Sequence, residues 1–163
     1  MLGLTLWVAL AAAQAGAQAG SGVHTPGVET HLAPLVGDWT RAGMETTYRD
    51  RCVWYERRAF VVCSLSDGRS GARVEAIVGY SKEERRYTYQ NYASDGTSHA
   101  SYGYALGANG LVFTEERKIG DKATRLTTSM IPQPDGRLRM VQQSSVMGQP
   151  WKEVGEVFYI KRK

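Results

Sequence analysis

Leu35-Val36-Gly37-Asp38-Trp39-Thr40 is the stretch on which the reading of this 163-residue chain turns. After it, runs of alternating apolar and polar residues recur about every twelve residues, with turn residues between them. Before it lie an apolar segment and a Gly/Ser/Thr-rich lead-in. Gly37-x-Trp39 suits the first strand of a small closed barrel. Glycine lets the entering backbone approach the barrel floor closely, and the indole is a large apolar plug with one N–H to satisfy.

Working outward toward the C-terminus, the segments 35–42, 44–56, 59–66, 72–81, 86–93, 98–106, 111–118, 123–131, 137–147 and 151–161 read as strands. No long apolar 3.6-residue period competes with them. Ser94-Asp-Gly96, Ala108-Asn-Gly110 and Pro132-Gln-Pro-Asp-Gly136 supply residues tolerant of positive φ, which tight hairpins demand. The expectation is an all-β fold: an antiparallel up-and-down β-barrel of about ten strands. One short N-terminal helical turn, over Glu29 to Leu35 and limited by Pro34, closes its end.

Period-two alternation assigns the faces. Ala72, Val74, Ala76, Val78 and Tyr80 share the inner face of one strand, and Met44, Thr46, Tyr48, Cys52 and Trp54 that of another. Tyr87, Tyr89 and Asn91, then Leu126, Thr128 and Met130, continue the inner set. Asp50 falls on the inner face as well. A β-bulge that turns it outward is favoured over a lumenal carboxylate, because an unpaired buried charge is costly. The last strand does not sort: Trp151, Val157 and Tyr159 share one parity, whereas Val154, Phe158 and Ile160 share the other.

Working outward toward the N-terminus, Met1 to Ala19 carries no charged side chain and an apolar core over Leu2 to Ala13, the pattern of a secretory signal peptide with cleavage after Ala17 or Ala19. About a dozen apolar residues are too few to span a bilayer comfortably, so the alternative of a membrane anchor is disfavoured. Residues 20–31 then read as a flexible leader and 32–163 as a single barrel domain, in a periplasmic or secreted protein with no transmembrane segment in the mature chain. The net charge of +4 is dispersed along the chain. Nucleic-acid binding is not expected, since that function gathers basic residues in one patch.

Leu32-Ala-Pro-Leu-Val-Gly-Asp-Trp39, Cys52-Val-Trp54 with Phe60-Val-Val-Cys63, Val78-Gly-Tyr80 with Glu84-x-x-Tyr-Thr-Tyr89, and Glu153-x-x-Glu156-x-x-Tyr159 resemble a bacterial family of secreted, lipocalin-like (calycin-type) β-barrel domains of unknown function. The resemblance covers residues 32 to 163. It implies a calycin-type barrel and brings no catalytic residues. Related ten-stranded barrels hold haem through a histidine on the final strand. This chain has Glu153, Val154, Glu156 and Val157 there and no histidine beyond His99, which counts against haem by that route.

Cys52 and Cys63 are the only cysteines. A hairpin turning about Arg57-Arg58 sets them opposite each other, so a disulfide is favoured over two buried small hydrophobes. Histidines 24, 31 and 99 have no metal-ligand spacing, and no metal or other cofactor is expected. Nucleophile-elbow, zinc-protease and nucleotide-binding fingerprints are absent. Glu115 and Glu116 point to opposite faces and form no dyad. The chain is therefore not expected to be an enzyme.

What remains is the lumen. The leading expectation is a barrel that binds a small lipophilic or amphiphilic molecule against Met44, Tyr48, Trp54, Tyr80, Tyr87, Tyr89 and Met130. The alternative is a structural or interaction module of the cell envelope whose aromatic residues simply fill the core. Oligomeric state is left open. Barrel closure is expected through Gly37, Trp39 and the final strand, with Lys161 or Arg162 capping the indole and Arg162 favoured for its planar guanidinium.

Overall fold

The computed structural model describes residues 27–146 and 149–162. The expected signal peptide, most of the leader and Gly148 lie outside them. The chain enters through α1 (Val28–Leu32) and a 3-10 turn (Ala33–Leu35), with Pro34 near the start of that turn, where its missing N–H costs nothing. Ten strands follow: β1 (Gly37–Arg41), β2 (Tyr48–Tyr55), β3 (Phe60–Asp67), β4 (Arg73–Ser81), β5 (Arg86–Ala93), β6 (Ser98–Leu106), β7 (Gly110–Ile119), β8 (Lys122–Pro132), β9 (Leu138–Val146) and β10 (Lys152–Lys161).

Each strand pairs antiparallel with its neighbours in sequence, and β10 returns to β1, giving a closed up-and-down barrel. Closure pairs Trp39 with Lys161 and Arg41 with Tyr159, leaving no free sheet edge. Most expected strand boundaries move by a residue or two, and the start of β2 moves furthest. β2 starts at Tyr48, because residues 42–47 form a turn in which the Met44 carbonyl accepts from the amides of Thr47 and Tyr48 at 3.0 and 2.9 Å. Met44 and Thr46 are therefore not strand residues. At the far end, the β9–β10 register shifts between Glu153 and Gly155. That bulge reverses parity within β10, so Trp151 is exposed while Val157 and Tyr159 turn inward, and the last strand could not sort on a single alternation.

The side of the barrel reached by α1 is the closed end. Leu32 and Leu35 bury there with Trp39, Val61, Val78, Leu111 and Leu138 in one core. The Trp39 indole N–H donates to the Leu35 carbonyl at 2.8 Å, fastening the 3-10 turn across the floor. Gly37 lets the plug sit close: a Cβ there would lie 3.1 Å from the indole nitrogen and 3.3 Å from Lys161 Cε, tighter than an ordinary contact. His31 continues this closure, its ring 5.9 Å from that of Tyr87, while Glu29 reaches Arg58 of the β2–β3 turn at 3.6 Å.

Outside, the wall mixes exposed apolar side chains with ion pairs. β2 to β6 expose Val53, Tyr55, Ile77, Tyr92, Tyr102 and Tyr104. β7 to β10 expose Ile119, Val146 and Val154 and carry the cross-strand ion pairs Arg125–Glu116 and Arg139–Glu156.

Candidate functional site

The site follows from which inward positions have something to pack against. Near α1 the inner residues interdigitate. Above them, a cavity of about 330 Å³ opens inside the barrel. Leu35, Trp39, Val78, Phe113, Met130 and Leu138 make its apolar lower part, and Tyr89 and Met140 carry it upward. Its upper part holds the polar groups: Arg41, Asp50, Asn91, His99, Glu115, Arg117, Thr128 and Gln142 line it, interleaved with Leu65, Val74 and Leu126. Sheet parity explains that set, because Arg41 shares a face with Trp39, Glu115 and Arg117 with Phe113, and His99 with Ser101.

Asp50 is the main correction to the expected faces. β2 pairs with β1 and with β3 in unbroken register through this residue, as Trp39–Asp50 and Asp50–Leu65, so no bulge turns it outward. Its carboxyl faces the lumen. Burial pushes its pKa up to about 6, against a lowering by the Arg41 charge and with further raising by Asp38 and Glu75. The lumenal carboxylate is tolerated because it can take a proton near neutrality, which removes the charge that burial penalises.

Arg41 is the second group that alternation left unremarked. Its guanidinium carbon lies 4.2 Å from the centre of the Tyr48 ring and 5.7 Å from that of Tyr159. The two phenol oxygens are 3.4 Å apart. Burial raises the Tyr48 pKa well above the usual phenol value, so it stays protonated beside the cation. The Arg41 Nε is buried without a hydrogen-bond partner, and among the described residues no carboxylate lies within 4.0 Å of the guanidinium. Arg117, the other lumenal arginine, is by contrast paired with Glu115 at 3.4 Å.

Cys52 and Cys63 are joined by a disulfide and form part of the cavity wall. They pair directly across β2 and β3 with Cα atoms 4.0 Å apart, the close spacing of a non-hydrogen-bonded pair, reached through the four-residue turn 56–59. Asp50 and the two sulfurs lie within 4.8 Å of one another. Oxidation ties up both thiols, so Asp50 is left as a single hard oxygen donor, too few for a metal centre. Cys52 Sγ is 3.5 Å from Asp50 Oδ1 and, once oxidised, has no proton to give it.

Of the seven residues expected to line a ligand site, Tyr89 and Met130 line the cavity. Tyr48 is buried beside it under Arg41. Tyr80 and Tyr87 stack edge to face at 5.1 Å and border a shallower pocket below the barrel with Val28 and His31, serving as the seat of α1. Met44 and Trp54 pack against the core.

The indole cap also needs correction. Lys161, not Arg162, lies over Trp39, with Nζ 5.1 Å from the ring. The reason is parity: Lys161 faces Trp39 in register, so the next residue must leave on the outer side. There the Arg162 amide donates to the Asp38 carbonyl at 2.8 Å.

No described helix is long and apolar enough to cross a membrane. Neither a scan of protein-family models nor a search of curated proteins matches this chain.

Proposed function

We propose that this protein is a secreted or periplasmic, lipocalin-like carrier that takes a small amphiphilic molecule into its barrel. The observation that carries this reading is the cavity of about 330 Å³, apolar toward α1 and carrying its polar groups among apolar ones at the other end. Small-ligand sites have this character: an apolar lining with a few placed polar groups, in volumes of about 300–1,000 Å³. The disulfide supports residence in an oxidising compartment. Among the described residues no hydrogen bond pairs a nucleophile with a base in the cavity, and the reading is therefore one of binding.

Native mass spectrometry of the protein purified from its own host tests this. A bound small molecule released on unfolding is the expected result. A protein that carries none, and that takes up no apolar fluorescent reporter into the lumen, would overturn it.

An alternative reading, an interaction module of the cell envelope, draws support from the exposed side chains of Val53, Tyr55, Ile77, Tyr92, Tyr102 and Tyr104 on the outer wall. The two readings separate by location. Tyr104→Ser would weaken a module's association and leave lumenal binding unchanged, whereas Met130→Trp would block the lumen and leave the outer wall intact.

A further inference from the structure

Resting on the lumenal reading above, the geometry points to an anionic head group, a carboxylate on a single alkyl chain, as the ligand class, with Arg41 as its anchor. Three observations converge on that residue. Its guanidinium lines the cavity directly above the apolar half. It is held flat by packing against Tyr48 at 4.2 Å, which fixes a long side chain before any ligand arrives. It also has no carboxylate within ion-pair distance among the described residues, and its Nε carries a buried, unused proton.

A guanidinium cannot shed its charge to escape burial, as Asp50 can. The Arg41 charge acts on Asp50 only from beyond ion-pair distance, and its nearer partners, the Tyr48 and Tyr159 hydroxyls, are neutral. A permanent cation with an unused Nε proton is therefore satisfied best by an anion that arrives from outside. The remaining lumenal arginine does not share this property, since Glu115 already neutralises Arg117. The volume sets the other half of the class. About 330 Å³ accepts one extended or folded chain of medium length and excludes a two-chain lipid.

The test compares three probes that share a ten-carbon chain and differ in the head: decanoate, decanol and decyltrimethylammonium, each titrated calorimetrically into the mature protein below its micellar concentration. Decanoate should bind at least about tenfold tighter than decanol, the order expected for a charge-assisted hydrogen bond in a desolvated site. The cationic probe should bind weakest. Arg41→Gln should bring decanoate down to the decanol level with decanol unchanged. Arg49→Gln, which removes a positive charge from the outer wall, should leave the preference in place and so exclude a general effect of net charge. If Arg41→Gln fails to fold, the head-group series on the unaltered protein decides alone.

Equal binding of decanoate and decanol would overturn the head-group assignment while leaving the lumenal reading intact. A preference for the cationic probe would do the same. Binding of none of the three would bring down the lumenal reading and this inference with it.

Discussion

The two ends of the lumen are built from the same alternation of inward side chains, yet they solve opposite problems. Toward α1, Leu32, Trp39, Val61, Val78 and Leu111 are all at most 3 % exposed, and the one polar atom that Trp39 brings is satisfied at Leu35. At the other end, Arg41 keeps a buried Nε without a hydrogen-bond partner and has no ion-pair partner among the described residues, and Asp50 is desolvated around a cavity. The difference separates stability from recognition: apolar packing at the floor contributes folding energy, whereas the upper lumen holds polar groups in a state that a ligand can improve.

The largest expected effect is at the floor. Trp39→Ala removes a fully buried indole together with the fastening of the 3-10 turn, and should cost about 3–5 kcal/mol in urea unfolding. Gln142→Ala, at the polar end and exposed, should change stability by no more than about 0.5 kcal/mol. Comparable losses for the two would erase the distinction between the ends.

The disulfide in the wall between them comes next. It closes a short loop between residues 11 apart in sequence, so replacing both cysteines by alanine should lower stability by about 2–3 kcal/mol through the unfolded chain. Thermal melts of the double variant check this. No loss would mean that the hairpin register alone holds β2 and β3 together as firmly.

How much of this contrast could be read from the chain follows from what alternation encodes. The strands, the short helix near the N-terminus and the pairing of Cys52 with Cys63 were legible, because turn residues and period two fix local structure and hairpin register. Parity tells which face a residue takes, but not whether that face is packed or hollow at its height in the barrel. That height depends on the stagger accumulated around all ten strands. Tyr80 and Tyr89 share the inner face on adjacent strands, yet one seats α1 and the other lines the cavity. Arg41 and Arg117 were overlooked, and Glu115 was weighed only as half of a dyad, for a related reason: a charged residue in a strand is by default assigned to solvent. Only the preceding inward residue on each strand, Trp39 or Phe113, carried the signal that they point inside.

Asp50 sharpens the comparison through pH. Its folded pKa, about 6, stands above the ordinary carboxylate value, so the folded state binds this proton more tightly than the unfolded chain does. The resulting stabilisation is complete below the unfolded pKa and is lost as pH rises through about 6. Asp50→Asn, neutral throughout, should match the parent protein near pH 4 and exceed its stability by about 1–2 kcal/mol at pH 7.5, allowing for water that reaches the carboxyl through the cavity. Denaturation series at the two pH values separate the outcomes. A variant less stable at pH 7.5 would show that Arg41 holds the carboxylate in place, and that the polar end is internally paired after all.

The smallest effect tests the underside of the floor, where Lys161 lies over Trp39. The ammonium is 5.1 Å from the ring, and its Cε reaches the space that Gly37 leaves open, so both the charge and the alkyl stem touch the plug. Because the residue is exposed, the cation–π part is worth no more than about 0.5–1 kcal/mol. Lys161→Met keeps the stem and removes the charge; Lys161→Ala removes both. If packing dominates, methionine should match the parent and alanine should lose about 0.5–1 kcal/mol. If charge dominates, the two variants should fall together. Arg162→Ala serves as the control, since its side chain leaves on the outer wall, exposed and away from the indole, where its charge acts on Asp38, and its stability should change by no more than about 0.5 kcal/mol. A loss at Arg162 equal to that at Lys161 would mean that the end of β10 stabilises the barrel through its strand pairing with β1 and not through the indole.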